Sequence, residues 1–247
     1  MAEILGILAH PDDDVTIGPL LAHYAARGVA IRLVYLTSGQ VGVNLVGSEA
    51  GDALGALREE EARAACQAYG IAEPLFIREQ DGTLATLPTA RFLSLTRSLQ
   101  DIIQRERPRA LLTFGPDGYT RHPDHKAVCS LVTDTLLRWP ESDGQPPELY
   151  YMALPEPAAA ALVAGGFPEG GLCWTAAGHI THEIDAADGL DAALEALHGY
   201  RSQFSPAEMA MLVALQRDLL KGRVALRAAF ASVRPRSPRR TLIDEVR

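Results

Sequence analysis

Ile4-Leu5-Gly6-Ile7-Leu8-Ala9-His10-Pro11-Asp12-Asp13-Asp14 changes character at a single residue. Residues 4–9 are small or apolar, the pattern of a strand buried on both faces. An imidazole, a proline and three carboxylates follow at once, as in a loop leaving the strand's carboxyl end. Downstream the chain alternates. Residues 29–37, 75–78, 109–114 and 149–154 read as further strands. Residues 16–27, 49–69, 89–107 and 125–138 carry helical patterns, with Gly28, Gly70 and Pro108 as stops. Strands separated by helices of this length predict βαβ units. The expected fold is α/β: a Rossmann-like, open, mostly parallel sheet with helices on both faces.

The C-terminal third is less regular. Residues 155–178 are rich in Pro, Gly and Ala, whereas 190–197 and 206–230 read as helical. A single domain over residues 1–247 is expected, with a basic, Pro-rich tail from about residue 234 draped on the surface.

Of the 247 residues, 47% are hydrophobic and 22% charged, proportions that build a sizeable core and exclude general disorder. The net charge of −8 argues against a nucleic-acid partner, which needs basic patches to neutralise phosphates. Cys66, Cys129 and Cys173 form no CxxC pair, so neither a disulfide framework nor a cysteine zinc site is expected. The N-terminal apolar run ends at His10, too short for a signal peptide or membrane span. The expected location is the cytoplasm, without stable membrane association. The sequence is compatible with a homo-oligomer.

Open parallel sheets bind ligands at the carboxyl ends of their strands. His10-Pro11-Asp12-Asp13-Asp14 follows the first strand, and His122-Pro123-Asp124-His125 lies in the loop after strand 109–114. Capping accounts for Asp and Pro before a helix but not for three histidines. Catalytic zinc takes three protein ligands plus water, and imidazole with carboxylate suits it. His10 and Asp13 can share an ion across the turn that Pro11 helps to fix, leaving Asp12 unligated. His125 is the natural third ligand if the helix begins near it, with His122 on the same face reaching a substrate. A dinucleotide-binding reading requires GxGxxG where this chain has His-Pro-Asp-Asp-Asp. A purely structural zinc module generally uses four protein ligands. His179 and His182 lie on a segment that reads as extended, facing opposite sides, so no second metal site is expected there.

These paired motifs resemble the signatures of the PIG-L / LmbE family of zinc-dependent deacetylases acting on N-acetylglucosaminyl compounds. Thr37-Ser38-Gly39, Arg58 with Glu61, Asp81-Gly82, the stretch 115–119, Ile184-Asp185 and Ser202-Gln203 match further pieces in order. The resemblance implies that His10, Asp13 and His125 hold zinc, with iron(II) also accepted by this ligand set. It implies Asp12 as general base, a protonated His122 stabilising the oxyanion, and Asp124 orienting His122. Arg58 is a candidate contact for a polar or anionic aglycone, Asp81 for sugar hydroxyls, and Tyr119 for covering the substrate. The implied partner is a small N-acetylated amino sugar: a precursor or conjugate of a glycosidic thiol, a chitin-type oligosaccharide, or a glycolipid or antibiotic intermediate. A non-sugar N-acyl amide is the alternative. Four positions depart from the family pattern: Asp14 where Glu is usual, Gln40 where Glu is frequent, and Ala193 and Tyr200 where Lys and His are frequent.

Overall fold

The computed structural model describes residues 1–47, 50–230 and 238–242. Seven strands form one sheet in the order β3-β2-β1-β4-β5-β7-β6. The first five, β1 (Ile4–Leu8), β2 (Ile31–Thr37), β3 (Leu75–Glu79), β4 (Ala110–Thr113) and β5 (Glu148–Ala153), run parallel. β6 (His182–Asp185) and β7 (Arg223–Ala228) complete the sheet, with β7 antiparallel to both β5 and β6. Every residue of β1 and β4 is buried, as their largely apolar sequences require, and the one hydroxyl, of Thr113, donates to the Ile7 carbonyl.

Helices α1 (Gly18–Ala25) and α2 (Asp52–Tyr69) pack with α6 (Leu190–Gly199), whereas α3 (Thr89–Glu106) packs with α4 (Pro123–Leu137). The chain steps outward from β1 to β3, then returns to β4 on the other side of β1. Right-handed crossovers in opposite directions put the two helix pairs on opposite faces. The reversal lies between β1 and β4, where a crevice opens at the carboxyl ends of the strands.

Short 3-10 geometry over Asp13–Thr16 precedes α1, so the first helix begins later than its sequence pattern suggests. Within 155–178 the structure forms α5 (Glu156–Ala164). The expected continuous helix over 206–230 is not formed. It stops after α7 (Pro206–Ala214) and a π-helical turn, Leu215–Leu220. Lys221 and Gly222 adopt left-handed φ of 54° and 76°, which ends the helix. Residues 223–228 then become β7, because pairing on both sides in the sheet overrides the helical preference of Ala, Leu and Arg. Leu154, Ala158, Ala159, Leu162, Leu172 and Leu215 form a small second core beside the main one.

Of the basic tail, only 238–242 lies within the described residues. Arg239 bridges to His182 at the sheet edge, and Leu242 is buried. No described helix is long and apolar enough to cross a membrane.

Candidate active site

β1 and β4 are neighbours in register, Ile4 beside Ala110, so the loops leaving them emerge side by side. The first loop turns sharply at Asp12, whose φ of 115° is rare for a residue with a side chain. That turn brings the Asp13 carboxylate back under β1. Its Oδ2 accepts the Ala9 N–H at 3.1 Å and the His10 N–H at 2.6 Å. The second loop ends at His122, which caps α4 by accepting the Asp124 N–H on Nδ1, with Pro123 in the first turn. His125, one turn into α4, points back towards β1.

Three side chains converge. His10 Nδ1 lies 3.5 Å from Asp13 Oδ2, and His125 Nε2 lies 3.1 Å from Asp13 Oδ1. The two imidazole nitrogens are 3.3 Å apart. Ligands bound to zinc at about 2.0–2.2 Å in a tetrahedron stand about 3.3–3.6 Å from one another. This donor set therefore fits that ion. The far nitrogens are committed elsewhere, as metal-bound histidines require. His125 Nδ1 lies 3.0 Å from the Gly118 carbonyl and 3.1 Å from Thr120 Oγ1, and its ring stacks on Phe114 at 3.9 Å. His10 Nε2 faces Asp81 Oδ1 at 3.1 Å and Asp124 Oδ2 at 3.5 Å, within ion-pair reach though out of line for a hydrogen bond. Nitrogens of His10, His122 and His125 also lie within 4.8 Å of one another, as do donor atoms of His10, Asp81 and Asp124. The Asp81/Asp124 side of His10 is spoken for by backbone donors. The His122 nitrogen Nδ1 is taken by its cap.

Electrostatics favour a cation at the convergence. Burial alone lowers the His10 pKa, but Asp124, Asp13 and Asp81 outweigh it and hold it well above the ordinary value. Burial pushes the Asp13 carboxyl up, and the flanking His125 and His10 reverse this and hold it far below the usual range. Asp12 behaves oppositely. Burial and the neighbouring Asp13 charge raise its pKa well above the usual value, with His10 and Arg58 opposing. Among the described residues no group hydrogen-bonds the Asp12 carboxylate, which lines the cleft. Burial, then the His10 and His125 charges, lower the pKa of His122. The resemblance implies a protonated His122, whereas here His122 Nδ1 accepts a backbone N–H, the arrangement of a neutral ring. Because Nδ1 accepts from the backbone, the ring proton sits on Nε2.

Asp124 does not reach His122 through its carboxylate. Its oxygens accept the N–H groups of Gly82 at 2.8 Å and Leu84 at 3.0 Å, tying the loop after β3 to α4. Asp81 accepts the Val41 N–H at 3.0 Å. Arg58, only 4% exposed, donates to the carbonyls of Gly39 and Val43, both at 2.5 Å. A Cβ at Gly39 would stand 2.7 Å from its Nη1, and with a φ of 68° that position favours glycine, while a Cβ at Gly42 would also crowd the Arg58 guanidinium. Glu61 accepts from the Ser202 N–H at 2.8 Å and hydroxyl at 2.6 Å, while the Ser202 carbonyl accepts the Leu45 N–H. Arg58, Glu61, Asp81 and Ser202 thus hold the 39–47 loop over the cleft. Tyr119 lines that cleft beside Thr120.

Sequence reasoning missed Phe114, Thr120 and the Gly118 carbonyl, which carry no spacing signal, although they fix His125. It also missed what surrounds Asp14. That carboxylate is fully buried and accepts three tyrosine hydroxyls: Tyr35 at 2.7 Å, Tyr69 at 2.8 Å and Tyr200 at 2.6 Å.

Two histidines and one carboxylate converging beside a second carboxylate, at the switch point of an α/β sheet, are the donor set that metal-dependent hydrolases use. Residues 5–136, more than half of the chain, match the model of the GlcNAc-PI de-N-acetylase (PIG-L) family, and the chain belongs to that family. It is 31% identical to the 1D-myo-inositol 2-acetamido-2-deoxy-alpha-D-glucopyranoside deacetylase of Mycolicibacterium vanbaalenii, over 83% of this chain and 81% of that one. Among solved structures it resembles N,N'-diacetylchitobiose deacetylase from Pyrococcus horikoshii, at a TM-score of 0.67 and 19% identity, covering 91% of this chain and 82% of that one. It also resembles GalB, a 4-carboxy-2-hydroxymuconate hydratase from Pseudomonas putida, at a TM-score of 0.70 and 21% identity, covering 95% and 99%. A hydratase among the neighbours shows that the fold alone does not select the reaction.

Proposed function

We propose that the protein is a metal-dependent N-deacetylase that hydrolyses the acetamide of an N-acetylglucosaminyl small molecule. The observation that carries this is the convergence of His10, Asp13 and His125 within 3.1–3.5 Å beside Asp12, whose carboxylate takes no hydrogen bond among the described residues, in a chain of a de-N-acetylase family. His10, Asp13 and His125 would hold zinc, or iron(II) in the cell. When bound, the ion supplies a Lewis acid for the acetamide carbonyl and lowers the pKa of water towards about 7.

Asp12 accepts a proton from the attacking water. Its raised pKa suits it to hold that proton and deliver it to the departing amine. His122 donates from Nε2 to the developing oxyanion as a neutral imidazole, contributing through position rather than charge. Asp81 and Asp124 orient His10, and the Gly118 carbonyl orients His125. Arg58 acts on the loop and on the Asp12 charge. Tyr119 flanks the bound acetamide. The acetamido-glucose unit is the part of the curated relative's substrate carried over to this protein.

The deciding experiment is acetate release from a set of N-acetylglucosaminides by the zinc-loaded protein, with and without chelator, alongside metal analysis. Release that stops on chelation and returns with zinc is expected. Release indifferent to chelator, or none from any member, overturns the proposal.

A further inference from the structure

The cavity that receives the reacting amide, about 560 Å³, is lined by a cluster of titratable side chains and a larger set of apolar ones. His10, Asp12, Asp13, His122 and His125 form the titratable cluster. The apolar lining includes Leu162, Phe167, Met211, Leu212, Leu215 and Leu220, supplied by α5, the segment after it, α7 and the π-helical turn, with Glu208 and Gln216 as the polar lining residues of those last two elements. A π-helical turn is an uncommon element that is frequently found at functional sites. Here it aims Leu215 and Leu220 into the cavity. The rim continues the pattern. Val41, Val43, Leu45 and Val46 are 64%, 64%, 45% and 49% exposed, four of the nine large apolar side chains exposed among the described residues. Val43 itself lines the cavity.

Sugar hydroxyls laid against these apolar side chains would lose water with only Glu208 and Gln216 of the same elements as hydrogen-bond partners, at a cost for each group left unpaired. A polyol aglycone is a poor occupant for this lining. We infer that the leucine- and methionine-lined part of the cavity is a binding subsite for an apolar substituent of the substrate, larger than acetyl. The substituent has two sources that share this chemistry: the acyl half or the amine half. In either case water adds across one amide, the C–N bond breaks, and a carboxylate and an amine leave. The inference rests on the deacetylase reading for the identity of the reacting bond, but the lining and its preference do not depend on turnover.

The test uses two ladders with the zinc-loaded protein. One lengthens the aglycone of N-acetylglucosaminides from methyl through butyl to hexyl; the other lengthens the acyl group of N-acylglucosamines from acetyl to hexanoyl. Binding is read separately by calorimetry on the products, methyl against hexyl glucosaminide and acetate against hexanoate. At least about tenfold in kcat/KM or in affinity is expected along one ladder, since each methylene buried contributes. The ladder that responds names the source. Leu212→Gln and Met211→Gln, at half-buried positions, should flatten that ladder while melting cooperatively. Flat responses on both ladders and in both binding arms overturn the inference, even where acetate release from N-acetylglucosamine stands. A hexyl or hexanoate preference in binding with no hydrolysis of any member sustains it and instead sinks the deacetylase reading.

Discussion

The Tyr200 hydroxyl donates to Asp14 Oδ1 at 2.6 Å across 186 residues of sequence. Both positions depart from the family pattern described above, Asp for Glu and Tyr for His. They depart in opposite senses: the acid is shorter and its partner longer. The buried Asp14 carboxyl, raised in pKa by burial against three tyrosine donors, is the hub that joins the loop after β1 to β2, α2 and the segment after α6.

The two departures should therefore be coupled. Asp14→Glu adds a methylene to a closed site and is expected to cost about 1–3 kcal/mol. Tyr200→His is expected to leave Asp14 Oδ1 short of a donor, at a similar cost of about 1–3 kcal/mol. Combined, they should recover part of the loss, with an interaction energy of about 0.5–3 kcal/mol from urea unfolding of all four proteins. Strict additivity would show that the two substitutions do not compensate.

Asp12→Asn should retain zinc and the fold while losing about 10²–10⁴ in kcat. By contrast His10→Ala or His125→Ala should lose the metal. Metal content measured beside acetate release separates these cases. An Asp12→Asn protein as fast as its parent would refute the base assignment.

Asp81 faces the outer nitrogen of His10 and belongs to the support of that ligand. Asp81→Asn should weaken zinc affinity about 10–100-fold in chelator competition, with KM little changed. If KM for the sugar rises and zinc affinity stays constant, Asp81 contacts substrate instead.

Asp188 pairs with His23 at 2.5 Å and Arg27 at 2.7 Å, joining the turn before α6 to α1. Burial opposes its ionisation, but the hydrogen bonds and charges of His23 and Arg27 together outweigh it and hold its pKa at about 2. The folded value lies below the unfolded one of about 3.9, so the stabilisation is present above that value. It fades as pH falls through about 2. The pair is half exposed and solvent-screened, so Asp188→Asn should cost no more than about 1 kcal/mol near neutrality. In urea titrations the gap between parent and variant should close as the pH falls through this window. A gap that persists at lower pH would point to packing rather than charge.

Local chemistry made much of this protein legible. The run 4–9, the stops at Gly28 and Gly70 and the spacing of His10, Asp13, His122 and His125 are short-range signals. They follow from strand burial, caps and the donor needs of a metal, and each acts within a few residues. The parallel α/β layout follows from them. Residues 223–228 show the opposite case: their helical composition became a strand because β5 and β6 offered hydrogen-bond partners on both sides. Arg58, Asp81 and Asp124 were visible as charged residues near the site, yet their partners come from elements brought together only by folding. A side chain's chemistry is written in its own residue. Its work depends on which distant backbone groups fall within about 3 Å, and that is set by the packing of the whole sheet.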